Sequence, residues 1–106
     1  MPDSKHIYNI AHRGARSLAP ENTMPAFVKS WQTGAQGVET DISVTLDGKL
    51  ILFHDDTFIR TTNISEIFSK RKNDPLHTFT WEEVQTLDAG SWFLEDDPFG
   101  TIKSGD

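Results

Sequence analysis

Gly37-Val38-Glu39-Thr40-Asp41-Ile42-Ser43-Val44-Thr45-Leu46, then Asp47-Gly48, then Lys49-Leu50-Ile51-Leu52-Phe53-His54, is the stretch on which the fold turns. Its first part alternates strictly. Val38, Thr40, Ile42, Val44 and Leu46 fall on one face of a strand, and Glu39, Asp41, Ser43 and Thr45 on the other. Asp-Gly is a favoured two-residue hairpin turn, so Lys49 to His54 reads as the returning strand. With Asp47 and Gly48 at the tip, Asp41 faces His54. Opposed residues share a face of the sheet, so Glu39, Asp41 and His54 are expected to cluster.

Upstream, Ile7 to Ala11 is apolar enough for a short buried strand that Gly14 ends, and Ala15 to Glu21 reads as a loop. A helix follows, capped by Asn22 or Thr23, with Pro25 in its first turn and Gly34 at its stop. Met24, Phe27, Val28 and Trp31 recur at helical spacing and form one apolar stripe. Downstream, residues 62–79 form a polar stretch expected on the surface. Thr80 to Leu87 reads as a short helix opened by a Thr80/Glu83 capping box. Asp88 to Asp106 carries Trp92, Phe93 and Asp-Asp-Pro, shows no apolar periodicity, and ends like a chain interrupted.

Composition bounds what these elements can build. The chain has 106 residues, of which 36% are hydrophobic and 25% charged, with a net charge of −6. That length suits one small soluble domain with a modest core. An acidic chain without a basic tract is not built to grip nucleic acid through phosphates. Lys70, Arg71 and Lys72 are its one basic cluster and read as a solvated loop. The absence of Cys excludes disulfides and thiolate metal sites. No apolar stretch approaches the roughly 20 residues of a membrane span, and Met1 to Ile10 lacks a signal-peptide core. A cytoplasmic protein is therefore expected.

Glu39 and Asp41, two apart on a strand, stand roughly 6.6 Å apart along the chain and point the same way. Two hard oxygen ligands at that spacing can share one Ca²⁺ or Mg²⁺. A solvated polar edge is the bland alternative. His12 and Arg13 follow the first strand, with Gly14 next. Histidine titrates near neutrality, and arginine offers a planar fork for phosphate oxygens. His54 closes the hairpin and precedes Asp55 and Asp56. Phosphodiester cleavage asks for two histidines and a metal: one takes a proton from the attacking oxygen, one protonates the leaving oxygen, and cation and arginine hold the phosphate charge. Trp31, Trp81 and Trp92 read as core or rim aromatics.

The motifs also form an ordered set. His12-Arg13-Gly14 is followed by Pro20-Glu21-Asn22-Thr23, by Gly34-Ala35-Gln36-Gly37-Val38-Glu39-Thr40-Asp41, and by Thr45-Leu46-Asp47-Gly48. Then come His54-Asp55, Arg60-Thr61-Thr62 and Leu87-Asp88-Ala89-Gly90-Ser91-Trp92. In this order and spacing, from about Ile7 to Phe93 with a polar insertion near Ser65–His77, the chain resembles the N-terminal part of a glycerophosphodiester phosphodiesterase.

The resemblance implies an α/β fold, the opening of a TIM-type (β/α)8 barrel with a β-hairpin extension after the second strand. It implies that residues 1–106 are the N-terminal part of one such domain, because a TIM barrel needs roughly 200 residues or more. It implies divalent-cation-dependent hydrolysis of a small-molecule glycerophosphodiester to glycerol 3-phosphate and an alcohol. His12 and His54 match the catalytic histidines, Glu39 and Asp41 two metal ligands of Ca²⁺ or Mg²⁺, and Arg13 the phosphate-binding arginine. Glu21 and Asn22 match a bordering motif, with Glu21 orienting Arg13 and Asn22 capping the helix. In the family a glycerol hydroxyl attacks phosphorus, and water opens the resulting cyclic phosphate. A further carboxylate ligand and a lysine come from later strands in the family, and nothing after Phe93 matches them.

Two other readings stand beside this one. A phospholipase D acting on lysolipids or sphingomyelin uses a similar pair of histidines and acidic ligands. An inactive partial domain, binding a cation or a partner protein, is the non-enzymatic reading. Its exposed sheet edges and apolar surface favour self-association.

Overall fold

A computed structural model describes residues 7–102. The expectations that Met1 to Ile10 lacks a signal-peptide core and that the last residues end like a chain interrupted fall partly on residues 1–6 and 103–106, outside the described residues. Strand β1 (Ile10–His12) leads through helix α1 (Met24–Gln32) to strand β2 (Gly37–Glu39), which pairs with β1 in parallel. This βαβ unit is the first body of the fold. Strands β3 (Ile42–Val44) and β4 (Leu50–Leu52) form a separate antiparallel pair. Short helices α2 (Ile64–Ile67), α3 (Trp81–Val84) and α4 (Ser91–Asp96) follow, with two 3₁₀ turns at Ser69–Arg71 and Leu76–Thr78. Among the described residues, no helix is long and apolar enough to cross a membrane.

The alternating stretch is not one strand but two. It breaks at Thr40 and Asp41, where β2 ends on its parallel partner and β3 takes up its antiparallel one. The Asn22 side chain holds the break: its Oδ1 accepts from Thr40 Oγ1 at 2.8 Å, and its Nδ2 donates to Asp41 Oδ2 at 3.1 Å.

The hairpin register also differs from the sequence expectation. Ile42 pairs with Leu52 and Val44 with Leu50, and the Phe53 N–H donates to the Asp41 carbonyl at 2.9 Å. Phe53, not His54, therefore stands across from Asp41. The cause is the turn. A two-residue turn of the expected kind needs positive φ at both tip residues, but only Gly48 has it, at φ 82. The Asp47 carboxylate is occupied instead, accepting from Thr45 Oγ1 at 2.6 Å and from the Trp81 N–H at 2.9 Å. Leu46, Asp47 and Gly48 thus form a three-residue loop, closed by the Thr45 N–H to the Lys49 carbonyl at 2.9 Å.

The core lies in the stretch expected on the surface. Phe58, Ile64, Leu76 and Phe79 are buried together, with Ile51, Phe53, Phe68, Val84 and Leu87 packed around them. The correction has a plain reason. Residues 62–79 are polar on average, yet Ile64, Phe68, Leu76 and Phe79 turn inward on short helical turns. Arg71 of the basic cluster is likewise a packing residue: its guanidinium lies 4.1 Å over the Phe79 ring and donates to Glu83 at 2.6 Å. Asp88 to Asp106 also contains an element, α4, with Phe93 buried. The Thr80/Glu83 capping box is formed as expected.

The apolar stripe of α1 faces outward. Met24 is 71% and Trp31 83% exposed, while Ala26 and Ser30 are buried. Ile10, Val38, Ile42 and Leu50 are exposed as well. The small face of α1 packs inward because Gly14 and Ala26 meet there, and of the apolar stripe Phe27 is partly buried while Met24, Val28 and Trp31 are left exposed.

Candidate active site

His12 ends β1 and Glu39 ends β2, and the parallel register pairs them. Carboxyl ends of parallel strands are where α/β sheets place ligands. His12 Nε2 lies 3.6 Å from Glu39 Oε2. His12 Nδ1 lies 3.0 Å from Arg16 Nη1. A guanidinium only donates, so Nδ1 accepts and the neutral ring carries its proton on Nε2, facing Glu39.

Arg13 turns the chain out of β1 in a left-handed conformation, φ 57, with Gly14 at φ 81 behind it. Strain of this kind gathers at functional sites. The turn aims the Arg13 N–H at Glu39 Oε2, 3.2 Å away. It also lays the side chain, 11% exposed, against two more carboxylates. Nη1 is 3.3 Å from Glu21 Oε2, and Nε is 3.7 Å from Asp41 Oδ2. At that distance Nε makes no hydrogen bond, and it is buried without another partner. Arg13 therefore gathers Glu21, Glu39 and Asp41. Asn22, at φ 55, does not cap α1, as the sequence suggested. Thr23 is the N-cap residue, and it makes no side-chain cap. Asn22 spends its amide on Thr40 and Asp41 instead.

Gly14 permits this turn. A Cβ there would stand 2.8 Å from Ala26 Cβ and 2.9 Å from the Ala26 carbonyl carbon. We expect Gly14→Ala to destabilise the protein by on the order of 1–3 kcal/mol through overpacking, with further strain from the positive φ. Denaturant unfolding checks this. A midpoint unchanged from wild type would show that α1 yields freely.

His54 does not meet Glu39 and Asp41 through the hairpin, because the register is shifted. It joins them through a chain of charges. Its Nδ1 lies 2.7 Å from Asp55 Oδ1. Asp55 accepts from Arg60 Nε and Nη2, both at 2.9 Å. Arg60 also grips both Glu21 oxygens, at 2.7 and 2.9 Å, and Glu21 holds Arg13. Among the described residues no group of three His, Asp or Glu is placed to hold a metal. Asp55, Arg16 and Arg60 went unassigned in the sequence. Asp55 follows His54 directly and Arg60 opens its own block, but only the fold brings Arg60 to Glu21.

The charges explain the titration. Arg60 hydrogen bonds, opposed by burial and aided by His54, hold Asp55 down at about 2, against an ordinary value of 3.8. Burial works to raise Glu21, yet the hydrogen bonds and charge of Arg60, with the charges of Arg13 and Arg16, keep it below its ordinary value. A carboxylate depressed in the fold stabilises above its unfolded pKa and loses that contribution as pH falls through the folded one. For Asp55 the window therefore runs from about 3.8 down to about 2. The Asp55 carboxyl ¹³C resonance should titrate near 2. A midpoint near 3.8 would mean that the Arg60 pairing is absent in solution.

Comparison with known proteins gives the same direction. The model of the glycerophosphoryl diester phosphodiesterase family matches residues 12–102. Glycerophosphodiester phosphodiesterase domain-containing protein 5 of Gallus gallus is 44% identical over 90% of this chain and 16% of its own length. A glycerophosphoinositol inositolphosphodiesterase of Mus musculus is 46% identical over 89% of this chain and 17% of its own. The chain thus spans about a sixth of these relatives. A glycerophosphodiester phosphodiesterase from Agrobacterium tumefaciens superposes with TM-score 0.72 and 39% identity, covering 83% of this chain and 35% of that one. An Oleispira antarctica phosphodiesterase, solved with the product sn-glycerol-3-phosphate, superposes with TM-score 0.72 and 33% identity, covering 88% and 34%. The fold described above is a partial α/β fragment of the fold of these enzymes.

Proposed function

The chain belongs to the glycerophosphoryl diester phosphodiesterase family, and on that premise we propose that it carries the first part of an active site hydrolysing glycerophosphodiesters to glycerol 3-phosphate and an alcohol. The observation that carries this reading is the pairing of His12 with Glu39 at two parallel strand ends, linked to His54 through Arg13, Glu21, Arg60 and Asp55. The product bound in the Oleispira antarctica relative supports glycerol 3-phosphate as the product here.

The two histidines enter with different protons. Asp55, ionised, only accepts, so His54 Nδ1 donates to it and the neutral ring keeps its Nε2 lone pair. His12 carries its proton on Nε2. His54 is then the base that takes the proton from the attacking glycerol hydroxyl. His12, once it has taken up a second proton and become an imidazolium beside Glu39, is the acid that protonates the leaving alcohol oxygen and is left as a neutral ring. The roles reverse when water opens the cyclic phosphate. Arg13 is the proposed phosphate partner, its charge shared with Glu21.

Glu39 and Asp41 suit Ca²⁺ or Mg²⁺ by their donor chemistry, hard oxygens gathered by one arginine. They supply two ligands, and the others would come from water, substrate or residues beyond these. When bound, such a cation neutralises phosphate charge and lowers the pKa of a coordinated hydroxyl. The uncovered apolar faces of α1, β3 and β4 fit the start of a TIM-type barrel whose later strands would cover them. Left uncovered, they favour self-association.

The test is release of glycerol 3-phosphate from glycerophosphocholine by the full-length protein, with lysophosphatidylcholine in parallel. We expect release that stops on chelation and returns with Ca²⁺ or Mg²⁺. Faster turnover of lysophosphatidylcholine would favour the phospholipase D reading. No turnover of either substrate with saturating cation would leave the inactive-domain reading.

A further inference from the structure

We propose that Arg60 is a positioning residue that couples the two halves of this active site, holding the carboxylate behind Arg13 and the carboxylate behind His54 on one guanidinium. The inference rests on the proposed phosphodiesterase reading for its kinetic consequences, but its geometry stands alone. Arg60 makes two bidentate pairs: Nη1 and Nη2 on Glu21 at 2.7 and 2.9 Å, and Nε and Nη2 on Asp55 at 2.9 Å each. Glu21 and Asp55 lie far apart in sequence and on separate bodies of the fold. Glu21 precedes α1 of the βαβ unit, and Asp55 follows the β3–β4 hairpin. Arg60 is the bridge between them.

Arg60 acts through geometry, not through stability. An ion pair with a side chain 44% exposed contributes little folding free energy. A planar fork nevertheless fixes the angle of each carboxylate it grips. Asp55 in turn fixes the ring of His54 through Nδ1 at 2.7 Å. Glu21 fixes the guanidinium of Arg13 at 3.3 Å. Arg60 also limits how closely Glu21 neutralises Arg13, since both oxygens of Glu21 face Arg60 at shorter distances than they face Arg13. Without Arg60, Glu21 turns wholly to Arg13 and draws it off the phosphate, while Asp55 swings and His54 loses its preferred tautomer.

The two arms therefore have different kinetic signatures. Asp55→Ala removes the support of His54 alone and should lower kcat about 10- to 100-fold, the usual cost of an outer-shell partner, with KM held. Arg60→Gln removes both and should lower kcat by a similar factor and raise KM severalfold. Because they act through one chain, the Asp55→Ala/Arg60→Gln double variant should have a kcat no lower than Asp55→Ala, a non-additive pair. Arg60→Lys restores the charge without the fork and should recover only part of either effect.

The deciding readout needs no substrate. Long-range ¹H–¹⁵N correlation on the full-length protein should show His54 with Nδ1 protonated in wild type and mixed tautomers in Arg60→Gln and Arg60→Lys. Wild-type tautomer and kcat in both Arg60 variants, or additive losses in the double variant, overturn the proposal. A wild-type protein that fails to hydrolyse glycerophosphocholine overturns the proposed function instead, and the tautomer still decides on Arg60.

Discussion

Replacing His12 or His54 by Ala in the full-length protein is expected to reduce kcat for glycerophosphodiester hydrolysis by 10²- to 10⁴-fold each, about 3–5 kcal/mol in barrier height. His12 Nδ1 accepts from Arg16 and its Nε2 faces Glu39. His54 Nδ1 is engaged by Asp55. Each ring is held at Nδ1, which leaves Nε2 for the proposed proton transfers. Removing either leaves the attacking hydroxyl without a base or the leaving oxygen without an acid, so the two losses should not multiply when combined. KM should change little, because neither histidine is a proposed phosphate ligand. Steady-state rates of the two single variants and the double variant check this. Either single variant turning over at the wild-type rate would remove that histidine from the chemistry.

Replacing Phe79 by Ala is expected to cost about 3–5 kcal/mol of stability, a large share of the 5–15 kcal/mol of a typical domain. Phe79 is fully buried. Its ring meets Phe58 at 5.4 Å and Phe68 at 5.7 Å, and Arg71 covers it at 4.1 Å. Its carbonyl accepts from the Leu46 N–H at 2.8 Å, tying the hairpin tip to the core. A cavity there has no side chain ready to fill it, since three neighbours are already locked edge-on or stacked. The midpoint of denaturant unfolding should fall accordingly, with the slope unchanged. A fall of less than 1 kcal/mol would mean that residues 58–79 do not form the core.

That second expectation rests on a segment whose role the sequence hid. Residues 62–79 average polar, and no helical period runs long enough to be read. Ile64, Leu76 and Phe79 enter the core from turns three or four residues long. Such turns bury one or two side chains each, which leaves no stripe. The Thr80/Glu83 capping box was legible because capping is local chemistry between residues three apart. The hairpin was legible as a hairpin for the same reason. Its register was not, because Asp47 is engaged by Trp81, far along the chain, and that contact selects the loop length.

The candidate site divides the same way. His12, Arg13, Glu21, Asn22, Glu39, Asp41 and His54 stand out from residue type, spacing and block order alone. These are properties that a linear chain carries whole, and with them comes the family. What the chain cannot carry linearly is who meets whom. The sequence brought Glu39, Asp41 and His54 together by strand register. The fold joins Glu39 to His12 by a parallel pairing, and reaches His54 only through Asp55, Arg60 and Glu21. Residue chemistry is local and was determined by the sequence itself. The pairing of strands and the sharing of one guanidinium between distant carboxylates depend on contacts across the chain, and only the tertiary structure decided them.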